Sequence, residues 1–202
     1  LALSFFPRMA DRAAATIGAG SVGLSALVSA WLIYTFVTGD GAAYTQTLWT
    51  WVSVGDFTPA FALYFDGLAA TMLGVITGVG FLIHMFASWY MKHDLDGGPG
   101  MGRFFAYMNL FIVAMLLLVL GDNLFLLFLG WEGVGLCSYL LIGYYYRDEA
   151  NAWAAFKAFL ITRIGDVFLA IGLFLLFATF GTLDIQTLLE QAPQAWAEGD
   201  PM

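Results

Sequence analysis

Apolar residues run along this chain in long unbroken stretches, not in the narrow stripe of a half-buried helix. Crossing the hydrocarbon of a bilayer takes about 20 consecutive apolar residues in a helix. Five stretches meet that length, at about residues 13–37, 67–90, 104–120, 123–146 and 150–181. The fifth is long enough to tilt or to extend past the bilayer. A partial apolar helix at about residues 1–6 precedes them. Residues 47–65, TLWTWVSVGDFTPAFALYF, follow a different pattern. They alternate, favour β-branched and aromatic side chains, and are broken by VGDFTP. That predicts a β-hairpin. Its Trp49 and Trp51 suit the aromatic belt at a membrane interface. Near the end, DIQTLLEQAPQAW spaces Ile185, Leu188 and Leu189 as a short amphipathic helix over about residues 183–196. No internal repeat is visible. The predicted fold is an all-α polytopic membrane protein with five full transmembrane helices, a partial first one and a small extracytoplasmic β-hairpin.

Composition agrees. Of 202 residues, 61% are hydrophobic and 11% charged, against about 25% charged in soluble domains. The net charge is −8, and no basic cluster offers a footprint for nucleic acid. Cys137 is the single cysteine. An internal disulfide and a cysteine-based iron–sulfur or zinc site within this chain are therefore excluded. Leu1 stands where a start methionine is expected, which reads as a piece of a longer chain. LALSFF lacks the basic flank and apolar length of a cleavable signal peptide.

The polar connections add an orientation. Arg8 and Arg12 lie before the first full span, Lys92 and Arg103 between the second and third, and Arg147 between the fourth and fifth. The alternate connections hold Asp40, Asp56, Asp66 and Asp122 but no base, and the tail beyond Thr182 is acidic. All five loop bases thus share one side, which the positive-inside rule places in the cytoplasm.

A few ionisable residues remain inside the spans: His84 in the second, Glu132 in the fourth, and Lys157, Arg163 and Asp166 in the fifth. A charge in hydrocarbon costs at least ~3 kcal/mol, so such residues normally face the bundle interior and pair. Counted from Arg147, Glu132 lies about 22 Å deep; counted from Ala150 on the next helix, Lys157 lies about 10 Å, Arg163 about 20 Å and Asp166 about 24 Å deep. Glu132 is therefore level with Arg163 and Asp166 if the two helices are neighbours. Arg163 and Asp166 are i,i+3 and reach each other directly. They suit a structural ion pair and a proton path equally. Lys157 points away from Asp166 and suits either snorkelling or a functional role. His84 reads first as a packing histidine. Glu132 has no opposite charge within a turn of its own helix. A carboxylate poised between protonated and ionised forms is what a proton relay requires. Gly130, Gly133 and Gly135 beside it, and the Gly74–Gly78 pair, read as close-packing positions. No nucleotide loop, metal cluster or redox motif is present. Chemistry supported here is ion movement across the bilayer.

The run from Gly130 to Phe174 contains WEGVGLCSYLLIG followed by KAFLITRIGDVFL. With GVGFLIHMFASWYM and LWTWVSVGDFTPAFALYFDGL, it resembles the antiporter-like membrane subunits of bacterial respiratory complex I, the proton-pumping NADH:quinone oxidoreductase, and among these the distal one. The resemblance runs from about Ala13 to the end. It implies that Glu132 corresponds to the family's essential glutamate. That glutamate modulates a buried lysine on a later helix, beyond Met202. Arg163 and Asp166 correspond to the charged pair of the next helix, and Lys157 to a lysine near that helix's cytoplasmic end. The resemblance further implies proton translocation coupled to electron transfer in the bacterial inner membrane. NADH, FMN, iron–sulfur clusters and quinone would be handled by other subunits, with no cofactor in this chain. The partners implied are other complex I membrane subunits, above all the adjacent antiporter-like one. A subunit of an Mrp-type cation/proton antiporter and a structural membrane anchor are the alternative readings.

Overall fold

The computed structural model describes residues 11–55, 57–94 and 100–195. The partial helix expected at residues 1–6 lies outside them. Among the described residues, five helices are long and apolar enough to cross a membrane. They are α1 (Asp11–Thr38), α2 (Gly67–Asp94), α3 (Met101–Leu120), α4 (Leu124–Ile142) and α5 (Glu149–Phe180). Between α1 and α2 the strands β1 (Tyr44–Thr50) and β2 (Ala60–Phe65) pair antiparallel, and α6 (Ile185–Ala195) closes the described chain. The protein is a polytopic helical membrane domain with one small hairpin.

Small residues set the packing, because lipid offers no hydrophobic drive between helices and close backbone approach must supply contact. On α1, Ala15, Val22 and Ser29 recur every seventh residue and are buried. α3 sits centrally, against α1, α2 and α4, while α5 packs chiefly on α4. A Cβ on Gly130 would lie 2.5 Å from the Leu118 amide nitrogen, so α4 meets the α3 backbone there. Gly133 likewise meets Ala114. Of the Gly74–Gly78 pair, only Gly74 approaches a neighbour, Ile33 on α1, and nothing lies within 4 Å of Gly78. The pair is therefore not a joint contact within this bundle. Outer faces carry large exposed apolar side chains, among them Trp31, Leu82, Phe168 and Phe174, as a lipid-facing or partner-facing surface requires.

The hairpin runs from Tyr44 opposite Phe65 to Thr50 opposite Ala60, with an irregularity between Thr47 and Trp49. It begins three residues before the expected start, because Tyr44 packs on Phe65 and extends the pairing. Ala62 and Phe65 of β2 are buried. Trp49 stacks on Phe61 with centroids 4.5 Å apart, and Trp51 packs on Phe125. The α3–α4 turn is stitched between the hairpin and the α5–α6 connection. Asp122 N–H donates to Ala62 O, Leu124 N–H to Leu183 O, and Ile185 N–H to Asp122 O. Asn123 caps α4 by accepting from Leu126 N–H, and its amide donates to Ala60 O at 2.8 Å. The opposite end is tied as well. Tyr144 Oη donates to Gly100 O at 2.9 Å, and Arg103 lies between the Tyr144 and Tyr146 rings. Asp122 and Asp184 thus mark one end, and Arg103 and Arg147 the other.

Candidate functional site

Glu132 and Trp131 stand midway along α4, and Arg163 and Asp166 midway along α5. Packing of the two helices brings all four side chains together. The Arg163 guanidinium is the hub. Its Nη1 pairs with Glu132 Oε2 and lies 3.2 Å from Asp166 Oδ2. Its Nη2 donates to the Glu132 backbone carbonyl at 3.2 Å. The planar face rests on the Phe159 ring, 4.3 Å from the centroid, which adds a cation–π contact. Gly135 makes room, since a Cβ there would stand 3.3 Å from Nη2. Asp166 is held at both oxygens, by Arg163 at Oδ2 and by Trp131 Nε1–H at Oδ1, 2.7 Å away.

Glu132 is accordingly not an unpaired carboxylate. The expectation considered only its own helix, whereas the partner comes from the next one at equal depth. The two carboxylates are not equivalent. The Asp166 side chain is 9% exposed and doubly held, while that of Glu132 is 30% exposed. With one guanidinium between two carboxylates, the fully ionised cluster carries net −1. A proton on Glu132 makes it neutral without disturbing the Arg163–Asp166 pair. The arrangement can therefore hold and release a proton at one end while its other end stays fixed.

Lys157 stands apart, exposed on α5 two turns nearer the basic end. His84 is buried on α2, beside the Phe105 ring of α3. Trp131 and Phe159 were not singled out from sequence. Trp131 precedes Glu132 directly, but i and i+1 point to different sides of a helix. Only the position of α5 shows that both reach the same site. Among the described residues no group of three or more His, Cys, Asp or Glu could hold a metal ion.

Taken together, fold and cluster define a helical membrane domain built around an intramembrane guanidinium shared by two carboxylates. Two family models match the chain. Residues 51–105 match the complex I chain 5 N-terminus of NADH-ubiquinone oxidoreductase. Residues 121–200 match the transmembrane domain of NADH:quinone oxidoreductase and the Mrp antiporter. NADH-quinone oxidoreductase subunit L of Pseudomonas aeruginosa is 60% identical over 195 residues, which are 96% of this chain and 31% of that protein. Subunit L of Escherichia coli is 56% identical over the same shares, and that of Mycobacterium tuberculosis 45% over 83% of this chain and 26% of the relative. The chain belongs to the antiporter-like membrane-subunit family. It spans about a third of the length of the curated relatives it matches. Among solved structures, a chain of the Mrp complex from Dietzia sp. aligns over 94% of this chain and 21% of its own length, with TM-score 0.68 and 24% identity. That likeness shows the fold alone.

Proposed function

We propose that this chain is part of the proton-translocating machinery of an NADH:quinone oxidoreductase. In this reading Glu132 is a protonatable relay group and Arg163–Asp166 is its fixed counter-pair. One observation carries the reading: a single intramembrane guanidinium serves two carboxylates of unequal exposure and unequal hydrogen bonding. A purely structural lock needs one cation and one anion. The second carboxylate leaves the cluster one positive charge short, and a proton supplies it. Buried ionisable groups in membranes commonly mark such pathways. Lys157, exposed on α5, would meet its partner on another helix or subunit. Electron transfer, with its NADH, FMN, iron–sulfur and quinone sites, belongs to other subunits of the complex. The adjacent antiporter-like subunit is the foremost membrane partner. The membrane is the bacterial inner membrane, with the Arg103 and Arg147 end cytoplasmic. Identity of up to 60% to subunits named NADH-quinone oxidoreductase favours this over an Mrp-type antiporter driven by ion gradients.

The test uses the full-length parent chain in its assembled complex, in sealed vesicles, with NADH oxidation and proton uptake recorded together. Glu132→Gln keeps size and hydrogen bonding but removes the exchangeable proton. The expected result is normal assembly with proton uptake reduced at least tenfold, oxidation falling with it where coupling is tight. Wild-type rates of both would reduce Glu132 to a packing residue.

A further inference from the structure

The basic end of the bundle holds a second polar site, between the start of α3, the end of α4 and the first turns of α5. A cavity of about 270 Å3 opens there, and Arg103, Tyr107, Tyr139, Tyr144 and Tyr146 are among the residues that line it. Arg103 stands in the first turn of α3, and Tyr144 and Tyr146 lie just past the end of α4. The cavity therefore sits at the level where the spanning helices leave the hydrocarbon. The rings of Tyr144 and Tyr146 each lie 5.0 Å from the guanidinium carbon. They cover the guanidinium, and its hydrogens point outward in its own plane. Nη2 donates to Tyr144 O at 3.2 Å. The Nε–H is buried and has no partner, and a buried donor left unsatisfied is destabilising.

The charge is unanswered as well. Among the described residues both ion pairs belong to Arg163, and neither Arg103 nor Arg147 has one. The acids that follow Arg147 serve other donors. Asp148 accepts from Ala150 N–H and Glu149 from Trp153 Nε1–H. Hydrogen bonds from Arg103 and Arg147 pull the Tyr146 phenol below its ordinary range, as a locally positive potential requires. One turn deeper than Tyr139 and Ala152, on the same faces of α4 and α5, Leu136 and Phe156 are apolar and exposed.

We propose that Arg103 and the tyrosines around it bind the phosphodiester group of a membrane phospholipid. The planar arginine fork matches phosphate oxygens and gives the unpaired Nε–H an acceptor. Basic pockets between spanning helices are suited to lipid head groups, and tyrosine offers its ring to apolar chains and its hydroxyl to the polar group. Leu136 and Phe156 supply a track for the acyl chains, which selects lipid over dissolved phosphate. The site concerns lipid and not proton transfer, so it stands apart from the role proposed for Glu132.

The experiment is a cryo-electron-microscopy map of the intact parent complex, wild type and Arg103→Leu, in nanodiscs of phosphatidylglycerol and phosphatidylethanolamine in phosphate-free buffer. A second wild-type map uses delipidated complex in detergent with inorganic phosphate. The expected nanodisc map shows a phosphate peak within hydrogen-bond distance of the Arg103 guanidinium, continuous with chain density along Leu136 and Phe156. That peak is lost in Arg103→Leu. The proposal is overturned by an empty cavity in the wild-type nanodisc map, or by a lipid peak that survives in Arg103→Leu. It is equally overturned by a side chain from the rest of the complex filling the cavity, or by a compact peak seen only with inorganic phosphate. If Arg103→Leu fails to assemble, the two wild-type maps decide.

Discussion

At the scale of single residues, Arg163 holds the site together. Its one positive charge separates Glu132 from Asp166, and without it two carboxylates face each other in a low-dielectric setting. Arg163→Leu is expected to weaken the α4–α5 contact by about 1–2 kcal/mol, the range of interhelical polar contacts in membranes. Reduced yield and a lowered thermal midpoint of the solubilised complex would report it. Unchanged stability would mean that Arg163 contributes nothing to this packing. Asp122 makes a separate case at the hairpin end. Burial and the nearby Asp184 push its carboxyl above the usual range, and the Thr45 hydroxyl partly opposes them. A carboxyl raised in the folded state binds more protons folded than unfolded, so its stabilising contribution is lost as pH rises through that window. Asp122→Asn removes this penalty. The variant should lose less thermal stability than wild type as pH rises from the ordinary carboxylate value of 3.8 through the range just above it. Equal slopes would contradict the assignment. Residue spacing at the helical rise placed Glu132, Arg163 and Asp166 at similar depth. The pairing partner of Glu132, and the roles of Trp131 and Phe159, depend on the rotation of α4 against α5, which neither hydropathy nor spacing encodes.

At the scale of elements, the α3–α4 contact depends on backbone approach. Gly130 lies against the Leu118 backbone, which has no flexible side-chain end to yield. Gly130→Ala should therefore separate the helices and cost about 1–3 kcal/mol, as overpacking does. Gly165 on α5 has nothing within 4 Å, so Gly165→Ala should be neutral or slightly stabilising through helix propensity. Assembly yields of the two variants compare them, and equal losses would refute the packing role of Gly130. Glycine reads only as a small residue in sequence. Gly130 and Gly78 look alike there, yet one touches a backbone and the other nothing. The two ends of α5 carry chemical punctuation. Asp148 accepts from Ala150 N–H at the start of α5, and Gly181 ends it with φ +71°. The hairpin's start was less legible, since Tyr44 is held by a cross-strand ring contact and not by local propensity.

For the whole molecule, segregation of charge gave the frame: apolar walls, a basic end, an acidic end and a few charges between. That much is visible in sequence because hydrocarbon tolerates little else. Order of packing is not, and it is what turns four separate polar residues into one site. The central claim is that Glu132 and Asp166 act as a unit through Arg163. A double-mutant cycle tests it most directly, with Glu132→Gln, Asp166→Asn and their combination in the intact parent complex, read as the rate of NADH-driven proton uptake. Residues that act through one shared group are non-additive. The double variant is therefore predicted to be no worse than the more damaging single one. If the two fold-losses instead multiply, the carboxylates work independently and the shared-guanidinium account is wrong.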